Sequence, residues 1–140
     1  MISQIGSVAI SLAGGLIFSS FFFLGLYKYF NNKSYLLVAE RAVLATCYSL
    51  FLAFFCLLNE LLVSNFNLQY VAQYTSYETP TFFKVTALWA GQAGSLLFWS
   101  FITALFTVAY IFTTLKKNEK FKIPLLLNIS IYFFVFYFAY

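Results

Sequence analysis

Four long apolar runs, separated by shorter polar stretches, set the pattern of this chain. The first uncharged run, Ile5 to Tyr27, is long enough to cross about 30 Å of hydrocarbon at about 1.5 Å per residue. A second run starts at Ala42, directly after Glu40-Arg41, and closes near Glu60. A third resumes at Gly94 and continues to Leu115, and a fourth opens at Pro124 behind a lysine-rich stretch and reaches Tyr140. The expected fold is therefore an all-α membrane protein with four transmembrane helices at about 5–27, 42–63, 94–115 and 123–140.

The polar stretches carry their own signals. Tyr27 to Lys33 reads as a tight turn, with the Asn31-Asn32 pair supplying its chemistry. Residues 64–91 form the longest extramembrane piece. Within it Thr79 and Pro80 read as an N-cap and a first-turn proline, which predicts a short helix over about 80–90 lying at the boundary of water and lipid. Gly91-Gln92-Ala93-Gly94 breaks the pattern before the third run, its two glycines relaxing the backbone. Gly14 and Gly15 read as points of close approach to a neighbouring helix. Glu60, acidic and without a basic neighbour, is read as a carboxylate at headgroup level in preference to a buried functional one.

Composition agrees with lipid as the solvent. The chain is 63% hydrophobic, 24% aromatic and 9% charged, where soluble domains are about 25% charged. The net charge of +4 does not imply nucleic acid, because the basic residues sit in short loops and not on one folded face. It sets orientation instead. Lys28, Lys33 and Arg41 occupy the first loop and Lys116, Lys117, Lys120 and Lys122 the third, against Lys84 in the second. By the positive-inside rule the N-terminus and the 64–91 loop face outwards, away from the cytoplasm. A leader peptide is not expected, since no basic segment precedes Ile5 and no small-residue cleavage pattern follows the run. The aromatic, uncapped run up to Tyr140 suggests the N-terminal fragment of a larger multi-span protein, a single membrane segment over 1–140.

Candidate chemistry is sparse. Cys47 and Cys56 lie nine residues apart in one run, on roughly opposite sides of a helix, and the chain has no histidine. The usual zinc, histidine-ligated haem and haem-attachment motifs are therefore missing, and no metal site is expected. No nucleophile with its base, no paired carboxylates and no phosphate loop can be assembled, so the chain alone carries no catalytic residues. Asn128-Ile129-Ser130 has the glycosylation pattern but lies inside an apolar run.

One segment carries a resemblance. Tyr70-Val71-Ala72, then Ser76, Pro80, Phe83-Lys84 and Trp89, and finally Gly91, Gly94, Ser95, Leu96, Leu97 and Trp99 follow one another in an order and spacing that resembles the N-terminal region of the CcmF family, the membrane haem-lyase component of cytochrome c maturation. Each word alone is weak; the combination is specific, and the similarity extends over the preceding helices. Two positions depart from the family pattern. Ala93 stands where many relatives have an acidic residue, and Asn65 where an aspartate is common.

The resemblance implies a component of the machinery that delivers haem and attaches it covalently to apocytochrome c on the outer side of a bacterial inner membrane, or its mitochondrial equivalent. The implied cofactor is haem, held by the intact protein. The implied partners are membrane lipid, the remainder of the CcmF-type protein, a haem chaperone, and apocytochrome c with its thiol-handling partner; nucleic acid is not among them. An intact family member acts as the lyase, while its tryptophan-rich loop and its histidines lie further along than this chain reaches. Tyr70, Phe83, Lys84 and Trp89 are the candidate haem-facing residues, their aromatic faces suited to a macrocycle and the lysine to a carboxylate. The same residues also suit an interfacial aromatic belt with a snorkelling lysine. The alternative function is a non-catalytic structural or assembly subunit of a respiratory or transport complex.

Overall fold

The computed structural model describes residues 2–115 and 122–139. Among these every regular element is helical: α1 (Ile2–Phe30), α2 (Lys33–Val63), α3 (Gln69–Tyr74), α4 (Thr81–Thr86), α5 (Gln92–Tyr110) and α6 (Lys122–Ala139). A 3-10 turn, Ala87–Trp89, continues α4, and a π turn, Ile111–Leu115, continues α5. Three helices among the described residues are long and apolar enough to cross a membrane: α1, α2 and Gln92–Thr113. The fourth run forms α6, whose apolar stretch Ile123–Val135 is shorter. Lys116, Lys117 and Lys120 of the expected third loop lie outside the described residues.

The first two crossings are longer than their apolar runs. At 29 and 31 residues they measure about 43 and 46 Å, so both project beyond the hydrocarbon. The second helix starts at Lys33 and not near residue 42, because Asn32 caps it: its Oδ1 accepts the Ser34 N–H at 3.0 Å. Lys33, Glu40 and Arg41 therefore lie within its first turns, on the part of the helix that projects beyond its apolar run. The link between α1 and α2 is only Asn31 and Asn32, with Asn31 in the left-handed region at φ 50°, a conformation that asparagine accepts more readily than most residues.

Small residues bring α1 and α2 together along their whole length. Gly6, Ala9, Ala13, Ile17, Ser20 and Leu24 recur on the buried face of α1 at steps of three and four. They meet Ala39, Val43, Cys47, Leu50 and Ala53 of α2. A Cβ on Gly6 would lie 3.2 Å from that of Cys56, which shows how near the axes run. Gly14 is a point of close approach as expected, against Tyr137 of α6, but Gly15 faces open space and has no such role. Helix α5 joins through Phe54 and Phe101, stacked with centroids 4.0 Å apart. Helix α6 presents Phe134 edge-on to Phe18 and Phe21 of α1.

One polar contact lies inside this packing. Ser20 and Ser130, both fully buried, share a hydrogen bond of 2.8 Å between α1 and α6. Replacing Ser20 by alanine is expected to destabilise the fold by about 0.6–1.7 kcal/mol. A double-mutant cycle with Ser130→Ala, read by unfolding in micelles, should return most of that loss as coupling, and additive losses would show that the bond contributes nothing.

Candidate functional site

The polar segment between α2 and α5 builds a compact cap on one end of the bundle. It begins where α2 stops. Ser64 adopts the left-handed conformation at φ 56°, and the Asn65 N–H returns to the Glu60 carbonyl at 3.0 Å, closing the last turn. A serine in that conformation carries strain that glycine would not. Lys84 Nζ holds it there, donating to Ser64 Oγ at 2.5 Å. The lysine thus ties α4 to the end of α2 across 20 residues of sequence.

Helix α3 was not expected from the sequence. Its six residues are stabilised by tertiary packing, with Val71 fully buried, since so short a helix has little stability alone. The same packing aims Tyr70 at the far side of the cap. Its hydroxyl donates to the Ala87 carbonyl at 2.9 Å, with that of Leu88 at 3.3 Å, and accepts the Gly91 N–H at 3.2 Å. Those groups belong to the break between the 3-10 turn and α5, where helical hydrogen bonds are missing. Tyr70 supplies replacements.

Gly91 and Gly94 make room for this arrangement. A Cβ on Gly91 would fall 2.5 Å from the Tyr74 hydroxyl, and one on Gly94 would overlap both the Tyr70 hydroxyl and the Leu88 carbonyl. Neither glycine has a positive φ, so their expected role in relaxing the backbone is replaced by a need for space. Ser95 completes the junction: its N–H donates to the Gly91 carbonyl at 2.9 Å and its Oγ to the Trp89 carbonyl at 2.9 Å. Tyr70, Gly91, Gly94 and Ser95, drawn from words some 20 residues apart, therefore form one hydrogen-bonded knot with Leu97 buried behind it.

The other motif residues lie elsewhere. Ser76 closes a turn with Thr79, whose Oγ1 accepts the Ser76 N–H at 3.0 Å and lies 2.9 Å from its Oγ. Thr79 is thereby withdrawn from its expected capping role; Pro80 occupies the cap position and α4 starts at Thr81. Ala72 and Pro80 are exposed, Ala93 is half-buried and Leu96 partly so. Trp99 is 59% exposed and points out of the fold. With Trp89, Ser95 and Phe98 it lines a shallow cleft of about 330 Å³.

The four candidate haem-facing residues do not converge on one cavity. Tyr70 is committed to the knot and Lys84 to Ser64, whereas Phe83 and Trp89 present exposed faces. Phe82 and Tyr77 are exposed on the same cap. Sequence reading also missed the setting of Glu60. It is 4% exposed, drawn in among the helices, and its Oε2 accepts from Asn65 Nδ2 at 2.5 Å. That bond explains one departure from the family pattern: an aspartate at position 65 would set carboxylate against carboxylate, whereas asparagine donates.

The chain is similar in sequence to known proteins. NrfE of Haemophilus influenzae, a cytochrome c-type biogenesis protein, is 43% identical over 60 residues, 43% of this chain and 9% of that protein. The cytochrome c-type biogenesis proteins CcmF of Haemophilus influenzae and of Pseudomonas aeruginosa are 29% and 31% identical over 111 residues, 78% of this chain and 17% of each relative. The chain is a relative of the CcmF and NrfE proteins. No family model and no solved structure matches it. The chain thus spans less than a fifth of the length of these curated relatives. With its apolar helices, this CcmF-related chain is an integral membrane protein.

The described residues of the CcmF-related chain do not fit a site that ligates haem iron. It has no histidine, Cys47 and Cys56 are buried in helix packing, and no group of three metal-binding side chains occurs among the described residues. What the cap offers a macrocycle is aromatic surface, at Phe82, Phe83 and Trp89.

Proposed function

We propose that this chain is a component of the cytochrome c maturation machinery that delivers haem and attaches it to apocytochrome c, and that its cap over residues 64–91 faces the outer side of a bacterial inner membrane or the equivalent organellar membrane. The observation that carries the reading is the knot. Tyr70, Gly91, Gly94 and Ser95, four of the residues that carry the family resemblance, hold the cap in shape, which supports a like role for this segment in the CcmF and NrfE proteins.

In this reading α6 is a fourth crossing, α4 lies at the membrane boundary, and the chain works joined to, or assembled with, the rest of a CcmF-type protein that supplies the iron ligands. Haem supplies the vinyl groups to which apocytochrome cysteines are joined, and the role of this chain is to present an apolar aromatic surface beside the attachment site. The basic residues that flank the first connection, Lys28 of α1 and Lys33 and Arg41 of α2, support the orientation. A haem chaperone and the apocytochrome with its thiol-handling partner are the partners this role requires.

The test is holocytochrome c, measured by haem staining in cells whose own copy is replaced by a variant. Trp89→Ala and Lys84→Ala are expected to lower holocytochrome c by about tenfold, the scale on which loss of an aromatic anchor or a charge-assisted bond acts. Normal maturation in both variants, with the proteins present at wild-type levels, would remove the proposed contact.

A further inference from the structure

The knot and the aromatic cap leave one polar feature unused. Beside them, a cavity of about 300 Å³ opens between the first turns of α1 and the last turns of α2. Glu60 lines it, with Ser3, Ser7 and Ser11 from α1 and apolar walls that include Ile10 and Leu57. The polar lining is rich in acceptors. Ser7 Oγ donates to the Gln4 carbonyl at 2.9 Å and Ser11 Oγ to the Ser7 carbonyl at 3.0 Å, so each hydroxyl proton is committed and its remaining capacity is to accept. Glu60 adds a carboxylate whose side-chain partner among the described residues is Asn65, a neutral amide. The nearby lysine, Lys84, is bonded to Ser64 instead.

A buried carboxylate with no counter-charge among the described residues is costly at the edge of a membrane. The cavity therefore calls for a cation rich in hydrogen-bond donors. A bare metal ion fits poorly: the space is much larger than an ion, and no group of three acidic or sulfur ligands occurs among the described residues. A primary ammonium on a short stem fits well, with three N–H donors for the carboxylate and hydroxyl oxygens and methylenes for the apolar walls. Next to the cavity, Val8 and Leu12 of α1 point out of the fold at 56% and 57% exposure, an apolar surface on which acyl chains can lie.

We propose that this cavity binds the ammonium headgroup of an aminophospholipid, with the Glu60 carboxylate as its counter-ion. Phosphatidylethanolamine has the three donors; phosphatidylcholine, with a quaternary nitrogen, has none. Recognition by headgroup holds one lipid at the junction of α1 and α2, beside the end of α2 from which the cap departs.

The test uses the full chain, stripped of lipid in detergent and titrated with phosphatidylethanolamine or phosphatidylcholine of identical acyl chains, with bound lipid counted by native mass spectrometry. Wild type is expected to prefer phosphatidylethanolamine by about tenfold, the scale of one charge-assisted hydrogen bond. Glu60→Gln should abolish the preference. Ser7→Leu, which fills the cavity from its exposed side, should abolish it with Glu60 intact, and it keeps the test decisive if Glu60→Gln does not fold. Butylammonium chloride separates the two sources of an ammonium group. Displacement of bound phosphatidylethanolamine by millimolar butylammonium supports the site, whereas butylammonium binding without any preference between the lipids overturns the lipid assignment. Equal preference in wild type and Glu60→Gln, or no preference in wild type, overturns the proposal as a whole.

Discussion

Gly94→Ala is expected to be the most damaging single-methyl change in the cap, costing about 3 kcal/mol, the upper end of ordinary overpacking. The added carbon would overlap the Leu88 carbonyl as well as the Tyr70 hydroxyl. A side chain can swing away, but a carbonyl cannot move without displacing the 3-10 turn from α5. Urea unfolding in mild detergent would measure the loss. The matched control is Gly91→Ala, where the obstacle is the ring of Tyr74, itself 39% exposed and free to move outward. A smaller loss at Gly91 than at Gly94 is the expected order, and equal or reversed losses would show that the knot is not as tight as its geometry indicates. Holocytochrome c should fall with stability in the Gly94 variant.

Tyr70→Phe is the second large effect. It keeps the ring and removes one oxygen that donates to Ala87 and accepts from Gly91. The buried Gly91 N–H is then left without that acceptor, and the penalty for an unsatisfied buried group is about 1–3 kcal/mol. Amide hydrogen exchange gives the sharper readout. Protection at Gly91 should drop by a larger factor than at residues in the middle of α2, and uniform change across both would assign the effect to global stability and not to the junction.

How much of this was legible beforehand depends on what each feature rests on. The three long helices were readable because apolarity over a whole crossing is a property of the local chain. Their ends were not. An apolar run stops at its last uncharged residue, whereas a helix stops where its hydrogen bonds do, and so Asn32 and Ser64 mark the ends of α2 better than the Glu40-Arg41 pair does. Helix α3 was hidden because Gln69–Tyr74 has no strong helical preference and is held by the burial of its own Val71 against the rest of the fold. The motif residues were legible as a sequence of words but not as a knot, since the bond from Tyr70 to the Ala87 carbonyl is invisible to any periodicity. The outward setting of Trp99 is not written in the pattern because, in a membrane, a large exposed aromatic carries no penalty and so need not turn inward. Glu60 shows the opposite case: a lone acidic residue suggested the surface, and only Asn65, five residues on, reveals that it has an internal partner.

The connection between α1 and α2, only Asn31 and Asn32 long, has a consequence for how the polypeptide sits in its bilayer. Two antiparallel rods zipped along their length and joined by so short a hinge keep that hinge at a single face of the bilayer, and the side chosen by Lys28, Lys33 and Arg41 then decides the sidedness of both rods together.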